Sequence, residues 1–356
     1  MQLPRRGLFL APIALALVIL AYLLFWPVPI DPVVWQPAKN PGMSGPYAPN
    51  DRLSGMRLLP DVGPGPESVA IDRDGRFYTG LQDGRVVRML ADGSGIETFV
   101  QTFGRPLGMK FDAGGNLIVA DAFRGLLSVS PGRTTVLVDR VNGERMLFPN
   151  DVAIAADGAV WFSDASRRFD QLHWMLDFFE GRPTGRLLRY DPRTNRVQVV
   201  LDRLMFANGV ALGPGDEYVL VNETLAARIT RYWLRGPKAG QTDTFAAALP
   251  GYPDNLTYNG RGVFWVALPS PRSSALEGLA GMPWLRKVLQ RMPAQLRERK
   301  VGRMAWVLAI NTEGRVVHNL QDRAGGYGPV TSVIEADGRL YFGSIGTTAI
   351  AWTPAP

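Results

Sequence analysis

The chain has 356 residues and no cysteine, which excludes disulfide bonds, thiolate zinc sites and a cysteine nucleophile. Its formal net charge is +7, and residues 272–303 contribute nearly all of that excess, with eight Lys or Arg against two Glu. The charge of the remaining chain is close to balanced, and no basic stripe is interleaved with aromatic residues. These features argue against a nucleic-acid partner.

The N-terminal residues have the pattern of a membrane anchor. Arg5-Arg6 precede an uncharged apolar run over residues 7–26, which is long enough to cross ~30 Å of hydrocarbon. No small-residue cleavage site follows cleanly, so we expect residues 1–27 to be a retained signal anchor and transmembrane helix, with a cleaved signal peptide as the alternative. The basic flank predicts a single-pass protein whose folded domain lies on the periplasmic, lumenal or other extracytoplasmic side. The proline-rich residues 28–50 are predicted to form an extended spacer.

Six stretches with the same opening follow this spacer. They begin Pro66-Glu67-Ser68-Val69, Pro106-Leu107-Gly108-Met109, Pro149-Asn150-Asp151-Val152, Ala207-Asn208-Gly209-Val210, Pro253-Asp254-Asn255-Leu256 and Pro329-Val330-Thr331-Ser332. Their starts lie 40 to 76 residues apart, and a polar turn, often Asp-Gly, leads from each opening into a β-rich run. The spacing predicts an all-β fold, a six-bladed β-propeller over residues 51–356. A strand near 53–59 is expected to complete the last blade and close the ring.

Two segments interrupt the repeat, at residues 165–185 and 272–303. The second has apolar residues at helical spacing among arginines, so both are predicted to be helical rim insertions that shape access to the propeller cavity. A basic amphipathic segment also suits an anionic membrane surface. The alternative interpretation of residues 272–303 is a lid helix packed on the propeller. One segment could both pack on the propeller and contact the membrane.

One repeat position carries an acidic or amide side chain in four of the six stretches. Because the innermost strand of every blade faces one axis, Glu67, Asn150, Asn208 and Asp254 are expected to converge there, with Asn255 beside them. Two buried carboxylates repel each other unless a cation lies between them. A set of oxygen ligands without His or Cys favours Ca²⁺ over Zn²⁺, and Mg²⁺ requires a tighter octahedron.

A single Asn or Asp after a proline is more often a turn residue than a ligand. Recurrence at four equivalent positions is what favours a metal site. The same position is occupied by Leu107 and Val330 in the two other repeats, so part of the channel mouth is predicted to be apolar, as in a substrate pocket.

A resemblance to known proteins rests on seven short stretches. They are Gly104-Arg105-Pro106-Leu107-Gly108, Val119-Ala120-Asp121-Ala122, Phe148-Pro149-Asn150-Asp151-Val152, Gly185-Arg186-Leu187-Leu188, Asn208-Gly209-Val210, Ala226-Ala227-Arg228-Ile229 and Pro253-Asp254-Asn255. With them the chain resembles the calcium-dependent six-bladed propeller hydrolases, a superfamily that includes paraoxonase and the senescence-marker-protein/gluconolactonase group. It is most similar to the strictosidine synthase-like branch, which includes the adipocyte plasma membrane-associated protein.

This resemblance implies a Ca²⁺ ion held by Glu67, Asn150, Asn208 and Asp254, with Asn255 as a further ligand. It also implies ester or lactone hydrolysis, in which the Asp254 position is the nucleophile or base. Departures from the family pattern limit the transfer. Strictosidine synthase depends on a glutamate in the sixth repeat, where this chain has Thr331, so a condensation of that kind is not expected.

Other candidate residues are assigned structural roles. Paraoxonase uses a His pair, whereas this chain has only His173, in the rim insertion, and His318, in a predicted strand far from the axis. Ser68 stands where paraoxonase has an acid, which argues against a second calcium ion. Asp121 and Asp164 follow the second strands of their repeats and are expected to make hydrogen bonds within the blades.

The sequence therefore predicts a membrane-anchored, Ca²⁺-dependent hydrolase of small-molecule esters or lactones, with Asp254 as its catalytic residue. The membrane is expected to be contacted by the N-terminal helix and by the basic 272–303 segment. Two alternatives stay open: a binding or scaffold propeller whose axial Ca²⁺ is structural, and, with less support, a strictosidine synthase-like lyase.

Overall fold

A computed structural model describes residues 7–293 and 303–356 of the protein. Its described residues separate into two compact units. The propeller unit consists of residues 37–174, 183–272 and 303–356, and the helical unit consists of residues 7–36, 175–182 and 273–293.

The described part of the propeller unit forms six four-stranded antiparallel sheets, which are the blades. Blade 1 contains β2 (Ala70–Ile71), β3 (Phe77–Gly80), β4 (Arg85–Met89) and β5 (Glu97–Gln101). Blade 2 contains β6 (Pro106–Phe111), β7 (Leu117–Asp121), β8 (Gly125–Ser130) and β9 (Arg133–Val138). A two-stranded hairpin, β10 (Arg140–Val141) and β11 (Glu144–Arg145), leads into blade 3, which contains β12 (Pro149–Ile154), β13 (Val160–Asp164), β14 (Gly185–Asp191) and β15 (Arg196–Leu204).

The second half of the ring repeats the same order. Blade 4 contains β16 (Ala207–Leu212), β17 (Tyr218–Glu223), β18 (Arg228–Trp233) and β19 (Thr242–Ala246), and blade 5 contains β20 (Leu256–Tyr258), β21 (Val263–Ala267), β22 (Ala305–Asn311) and β23 (Val316–Asp322). Blade 6 contains β24 (Val330–Ala336), β25 (Arg339–Ser344) and β26 (Ala351–Pro354). Its outermost strand is β1 (Arg57–Leu58), which pairs with β26 and comes from the other end of the chain. The predicted six-bladed propeller and its closure by a strand near 53–59 are confirmed.

Apolar side chains form a buried cluster between each successive pair of blades. Phe162 and Leu188 of blade 3 pack with Leu126 of blade 2, and blades 6 and 1 meet through Tyr341 and Phe77. The strands are buried on both faces, because each sheet lies between two others, and this explains their continuous Val, Ile, Leu and aromatic runs. These clusters stack the blades side by side and bring their innermost strands to a common axis.

The innermost strands β2, β6, β12, β16, β20 and β24 are neighbours in that order. Thr331 closes the ring, since its Oγ1 in blade 6 donates to the Glu67 carbonyl oxygen of blade 1 at 2.8 Å. Neighbouring strands within each blade are antiparallel. The start of every innermost strand therefore lies at the same end of the ring as the loop that joins the second and third strands of its blade.

The helical unit contains α1 (Gly7–Phe25), α3 (Ser274–Gly278), α4 (Pro283–Gln290) and most of α2 (Trp174–Glu180). Its centre is Arg286 of α4, which is fully buried. The guanidinium donates to the carbonyl oxygens of Phe179 (2.9 Å), Glu180 (3.1 Å), Val33 (2.5 Å) and Ala280 (3.2 Å). One side chain thus joins α2, α4, the turn between α3 and α4, and the chain that follows α1.

The predicted spacer has two parts in the structure. Residues 26–44 form neither helix nor strand, but Ile30 and Trp35 are 3% and 8% exposed within the helical unit. Residues 37–50 belong to the propeller unit, where Asn50 exchanges hydrogen bonds with Gln321 of β23. A short 3-10 helix lies at Gly45–Tyr47, and contacts hold the segment in both units. The extended conformation of the spacer stays a prediction.

Four of the five described basic residues of the 272–303 segment make contacts inside their own units, and the fifth, Arg303, is exposed. Arg286 is buried as stated, Lys287 pairs with Asp31 at 3.2 Å, and Arg291 donates to the carbonyl oxygens of Leu23 (2.9 Å) and Trp26 (2.5 Å) at the end of α1. Arg272 donates to Ala38 in the propeller unit. Residues 294–302 of the predicted segment lie outside the described residues.

Across residues 7–293 and 303–356, no helix combines the length and the apolar character that a membrane span needs. The transmembrane helix over residues 1–27 stays a prediction.

Candidate metal centre

The five predicted ligands all lie at the beginning of an innermost strand. Asn150 and Asn208 are the second residues of β12 and β16, Asp254 and Asn255 directly precede β20, and Glu67 lies three residues before β2. Glu67, Asn150, Asn208 and Asn255 are 3–4% exposed, and Asp254 is partly exposed. The shared register of the blades therefore places these side chains at one end of the ring.

Three side-chain interactions show that most of the set lies close together. The Asn255 amide Nδ2 donates to Glu67 Oε1 at 2.9 Å. Burial raises the pKa of Asp254, the Glu67 charge raises it further and the Asn208 side chain lowers it, so both side chains lie near that carboxylate. Asn150 occupies the equivalent register position on the blade before Asn208.

Four of the five residues have a buried oxygen without a hydrogen-bond partner among the described residues. They are Glu67 Oε2, Asn150 Oδ1, Asn208 Oδ1 and Asn255 Oδ1. A buried acceptor without a partner destabilises a protein by about 1–3 kcal/mol, and by more when it is charged. Four such acceptors in one register layer fit the coordination shell of a hard cation, which accepts several carboxylate and amide oxygens.

The electrostatics of the cluster point in the same direction. Burial raises the pKa of Glu67 to about 7, against the lowering effects of the Arg105 charge and the Asn255 hydrogen bond. Burial and the Glu67 charge hold the pKa of Asp254 well above its usual range. Burial also raises the pKa of Asp151, the residue after Asn150, to about 6. Ionised carboxylates here require a positive charge that the nearby side chains supply only in part.

Arg105 is the cation whose charge lowers the pKa of Glu67, and its guanidinium binds backbone carbonyl groups. It is 2% exposed, and its guanidinium donates to the carbonyl oxygens of Gly65 (3.1 Å) and Gly80 (3.4 Å). No group of three or more His, Cys, Asp or Glu side chains suitable for a metal occurs in the described ranges. The axial set differs from such a group because it combines two carboxylates with three amides.

The residue after each axial position links neighbouring blades. Ser68 Oγ donates to the Leu107 carbonyl, Val210 N donates to Asp151 Oδ2 (2.8 Å), Gly209 N donates to the Asp254 carbonyl (3.1 Å) and Asn255 N donates to the Thr331 carbonyl (3.1 Å). Together with Thr331 and Glu67, these contacts run around most of the ring. They fix the backbone that carries the candidate ligands.

A second group of carboxylates fixes the entry into the innermost strands of blades 2, 3 and 4. Asp121 Oδ1 accepts from Arg105 N (2.9 Å), Asp164 Oδ1 from Phe148 N (3.1 Å) and Glu223 Oε2 from Met205 N (2.9 Å). The predicted structural role of Asp121 and Asp164 is confirmed. Glu223 is the last residue of the second strand of blade 4, which is the position that Asp121 and Asp164 occupy in their own blades. This shared repeat position could have identified Glu223 from the sequence.

The two histidines have different surroundings. His318 lies on the outermost strand of blade 5 and stacks on the Trp265 ring, which confirms its structural role. His173 Nδ1 lies 2.6 Å from Asp170 Oδ1 in the rim insertion of blade 3, and its side chain is 58% exposed.

Blade 6 supplies no acid at the axial end. Thr331 is 1% exposed, and its hydroxyl is committed to the Glu67 carbonyl. Glu335, the one acid of β24, accepts from Trp265 Nε1 and Asn259 Nδ2, both at 2.7 Å. Thr331 therefore occupies the position at which strictosidine synthase depends on a glutamate, and the expected lack of that reaction stays a prediction.

Two surface grooves lie on the outer parts of blades 3 and 4, with volumes of about 370 and 480 Å³. Trp161, Arg189, Tyr232 and Arg235 line the first. Neither groove is lined by an axial residue.

Fold and site together define a six-bladed propeller with a buried carboxylate–amide cluster on its axis. The sequence profile of strictosidine synthase matches residues 150–237, and that of the strictosidine synthase-like N-terminal region matches residues 45–89. The chain is 38% identical over 326 residues to Protein STRICTOSIDINE SYNTHASE-LIKE 13 of Arabidopsis thaliana, which covers 82% of this chain and 78% of that protein. It is 34% identical over 366 residues to the human adipocyte plasma membrane-associated protein, which covers 96% of this chain and 87% of that protein.

The chain therefore belongs to the strictosidine synthase-like family, as its motifs predict. Solved structures agree on the fold. A gluconolactonase from Xanthomonas campestris superposes with a TM-score of 0.62 at 20% identity, over 86% of this chain and 91% of that one. The calcium-binding protein regucalcin from Agrobacterium tumefaciens gives a TM-score of 0.57 at 13% identity, over 83% and 92%. At these identities the likeness establishes the fold alone.

Proposed function

We propose that the protein is a Ca²⁺-dependent hydrolase of esters or lactones. The observation that carries the proposal is the layer of four buried, unpartnered oxygens around Glu67 and Asp254. A gluconolactonase and a calcium-binding regucalcin among the structural neighbours add support for this class of ligand and reaction. Glu67, Asn150, Asn208, Asp254 and Asn255 would hold the ion. When bound, Ca²⁺ supplies a positive charge that offsets the two carboxylates and polarises a substrate carbonyl.

The chain's own residues account for the remaining requirements. Asp254 is the more exposed of the two carboxylates, and burial and the Glu67 charge raise its pKa, which favours a base at this position. It would act either by attacking the carbonyl carbon or by accepting the proton of the attacking water. Leu107 and Val330 provide apolar axial positions for the non-reacting part of a small-molecule substrate.

Hydrolysis is tested on the full-length protein with phenyl acetate and a panel of lactones, with added Ca²⁺ and again with EGTA. We expect turnover that disappears on chelation and returns with Ca²⁺. Asp254→Asn is expected to abolish turnover. The control is Asp121→Asn, which changes a buried carboxylate of blade 2, a blade that carries no axial ligand, and this variant is expected to keep turnover. If Asp254→Asn and Glu67→Gln leave both Ca²⁺ content and turnover unchanged, the proposal is wrong.

A binding or scaffold propeller with a structural Ca²⁺ ion is the alternative from another class. It predicts that EGTA lowers the melting temperature of a protein that turns over none of these compounds. The assay and a melting curve on the same sample separate the two functions.

We further propose that the N-terminal region anchors the protein in a membrane, with the propeller on the extracytoplasmic side. Exposed apolar side chains occur on all sides of α1, from Ile13 (57%) to Phe25 (79%), and Trp26 follows at 60%. A helix that is apolar all round is typical of a lipid environment. Several relatives are adipocyte plasma membrane-associated proteins, and this supports the same location.

Within the helical unit, α4 would lie at the membrane surface, because Arg291 binds the carbonyl end of α1. Trp284 in the first turn of α4 is 64% exposed, and Met282, directly before α4, is 40% exposed. Alkaline carbonate extraction and protease accessibility in intact vesicles test the anchor. Release of the full chain by carbonate, or a propeller that is accessible on the cytoplasmic side, would contradict it.

A further inference from the structure

Blade 4 holds the backbone of Asp254 in blade 5 through two side chains. Asn222 Nδ2 donates to the Asp254 carbonyl oxygen at 2.5 Å, and Thr224 Oγ1 donates to the Pro253 carbonyl oxygen at 2.8 Å. Gly209 N donates to the same Asp254 carbonyl, and Asp254 N donates to Ala267 within blade 5. The peptide groups on both sides of the Asp254 side chain are therefore held by hydrogen bonds.

Asn222 and Thr224 belong to the interior of the ring. They are fully buried and 6% exposed, respectively, at the end of β17 and just after it. The Asn222 amide nitrogen must face the Asp254 carbonyl, because a carbonyl oxygen only accepts. This assigns the other side of the amide to Oδ1, which has no partner among the described residues.

The position of Asn222 is particular to blade 4. The equivalent residues at the ends of the second strands are Ala120 in blade 2, Ser163 in blade 3 and Ala267 in blade 5. Ser163 Oγ accepts from the backbone of its own blade, at Asp151 N. Among these four blades, only blade 4 has a side-chain amide at this position that donates to the next blade. The next blade, blade 5, carries Asp254.

We propose that Asn222 and Thr224 are positioning residues that aim the Asp254 carboxylate at the axial ion and substrate. The proposal rests on the proposed function and adds residues that contact neither the ion nor the reacting atoms. A carboxylate on a loop must be oriented by its backbone, and both carbonyl groups that flank its Cα are tied to blade 4. Loss of either tie removes one of the hydrogen bonds that orient the loop before β20, without removing a ligand.

The test uses near-isosteric variants of the full-length protein. Asn222→Leu and Thr224→Val remove the donors and keep the side-chain size. Thr102→Val is the matched control, because Thr102 is fully buried and its Oγ1 donates to the Gly84 carbonyl at 3.0 Å in front of blade 2, which has no axial ligand. Calorimetric Ca²⁺ affinity, melting temperature, kcat and KM are measured for all three and for the wild type.

We expect Asn222→Leu and Thr224→Val to weaken Ca²⁺ binding by about 10- to 100-fold and to lower kcat more than they raise KM. Thr102→Val is expected to lower the melting temperature by a similar amount and to keep wild-type Ca²⁺ affinity and kcat. Wild-type Ca²⁺ affinity in both blade 4 variants would overturn the inference. A wild-type protein that binds Ca²⁺ without turnover defeats the hydrolase proposal and leaves the affinity comparison decisive for the positioning role.

Discussion

The Asn255 side chain of blade 5 donates its single amide nitrogen to two other blades. Nδ2 lies 2.9 Å from Glu67 Oε1 in blade 1 and 3.0 Å from the Thr331 carbonyl oxygen in blade 6. Both acceptors require the nitrogen on that side, so Oδ1 is turned away from them and stays without a partner among the described residues. Asn255 therefore links blades 5, 6 and 1 through its amide nitrogen. Its amide oxygen Oδ1 has no partner in the described part of the chain, and this makes it a candidate ligand for the ion.

Glu67→Gln separates the two contributions of the carboxylate. In the metal-free protein at pH 8 the variant is expected to be more stable than the wild type by roughly 1–3 kcal/mol, since it removes a buried negative charge. Its Ca²⁺ affinity is expected to fall by about 100-fold, because a carboxylate ligand is replaced by an amide. Denaturant unfolding in EGTA and titration calorimetry measure the two effects.

The matched control is Glu97→Gln, which makes the same chemical change on the surface of blade 1, where Glu97 pairs with Arg88 at 2.7 Å. It is expected to alter stability by less than about 1 kcal/mol and to leave Ca²⁺ binding unchanged. A metal-free Glu67→Gln protein that is less stable than the wild type would show that Glu67 is held mainly by contacts other than an ion.

The raised pKa of Glu67 predicts an unusual pH dependence of stability. The folded chain holds this proton up to about pH 7, whereas the ordinary value is 4.5, so between these limits the folded state binds more protons than the unfolded state. The contribution of this group is therefore fully present below pH 4.5 and is lost as the pH rises to 7 in the metal-free protein. Ca²⁺ binding requires the ionised carboxylates, so the stabilisation by Ca²⁺ is expected to grow over the same window.

Melting curves at pH 5 to 8, in EGTA and in Ca²⁺, check both signs. Ca²⁺ at 100 times its dissociation constant should add about 2.7 kcal/mol at the upper end. An EGTA curve that rises with pH through this window, or a Ca²⁺ increment larger at pH 5 than at pH 8, would be inconsistent with the axial site.

The fold and the axial residues could be predicted because the propeller repeats. Each blade encodes the same strand, turn and strand, so Glu67, Asn150, Asn208 and Asp254 are related by sequence position before any contact is known. Asn222 and Thr224 could not be found in this way, since their partners lie in the next blade and no repeat position carries an equivalent side chain. The burial of Arg286 could not be predicted for another reason. In a segment with several arginines at helical spacing, the sequence pattern does not distinguish a buried arginine from a solvent-exposed one.

Gly209→Ala tests the close approach between blades 4 and 5. A Cβ at this position would lie 2.5 Å from Leu256 N and 2.6 Å from the Asp254 carbonyl oxygen, both backbone atoms that cannot rotate away. We expect a loss of about 1–3 kcal/mol in stability and weaker Ca²⁺ binding, because Asp254 must shift. Gly55→Ala, where a Cβ meets nothing within 4 Å, is the control and should stay within about 0.5 kcal/mol. Equal stability and affinity of the two variants would contradict the close packing.

Arg286→Met tests whether one buried guanidinium holds the helical unit together. Four carbonyl oxygens, of Val33, Phe179, Glu180 and Ala280, lose their charged donor, so the local stability of the unit should fall by roughly 2–4 kcal/mol. Hydrogen exchange reports this directly, because Val33 N donates to Glu180 O and Trp35 N donates to Ala280 O. Both amides are expected to exchange faster by about one and a half to three powers of ten, at 1.4 kcal/mol per tenfold.

Lys287→Met is the neighbouring control for this substitution. Lys287 is 38% exposed and pairs with Asp31 at 3.2 Å, so its loss should change the exchange of Val33 and Trp35 by less than about threefold. In both variants the propeller amides and Ca²⁺ binding are expected to match the wild type, since Arg286 donates only within the helical unit. Protection of Val33 and Trp35 that survives Arg286→Met would mean that apolar packing of Ile30 and Trp35, rather than the guanidinium, fixes the chain after α1.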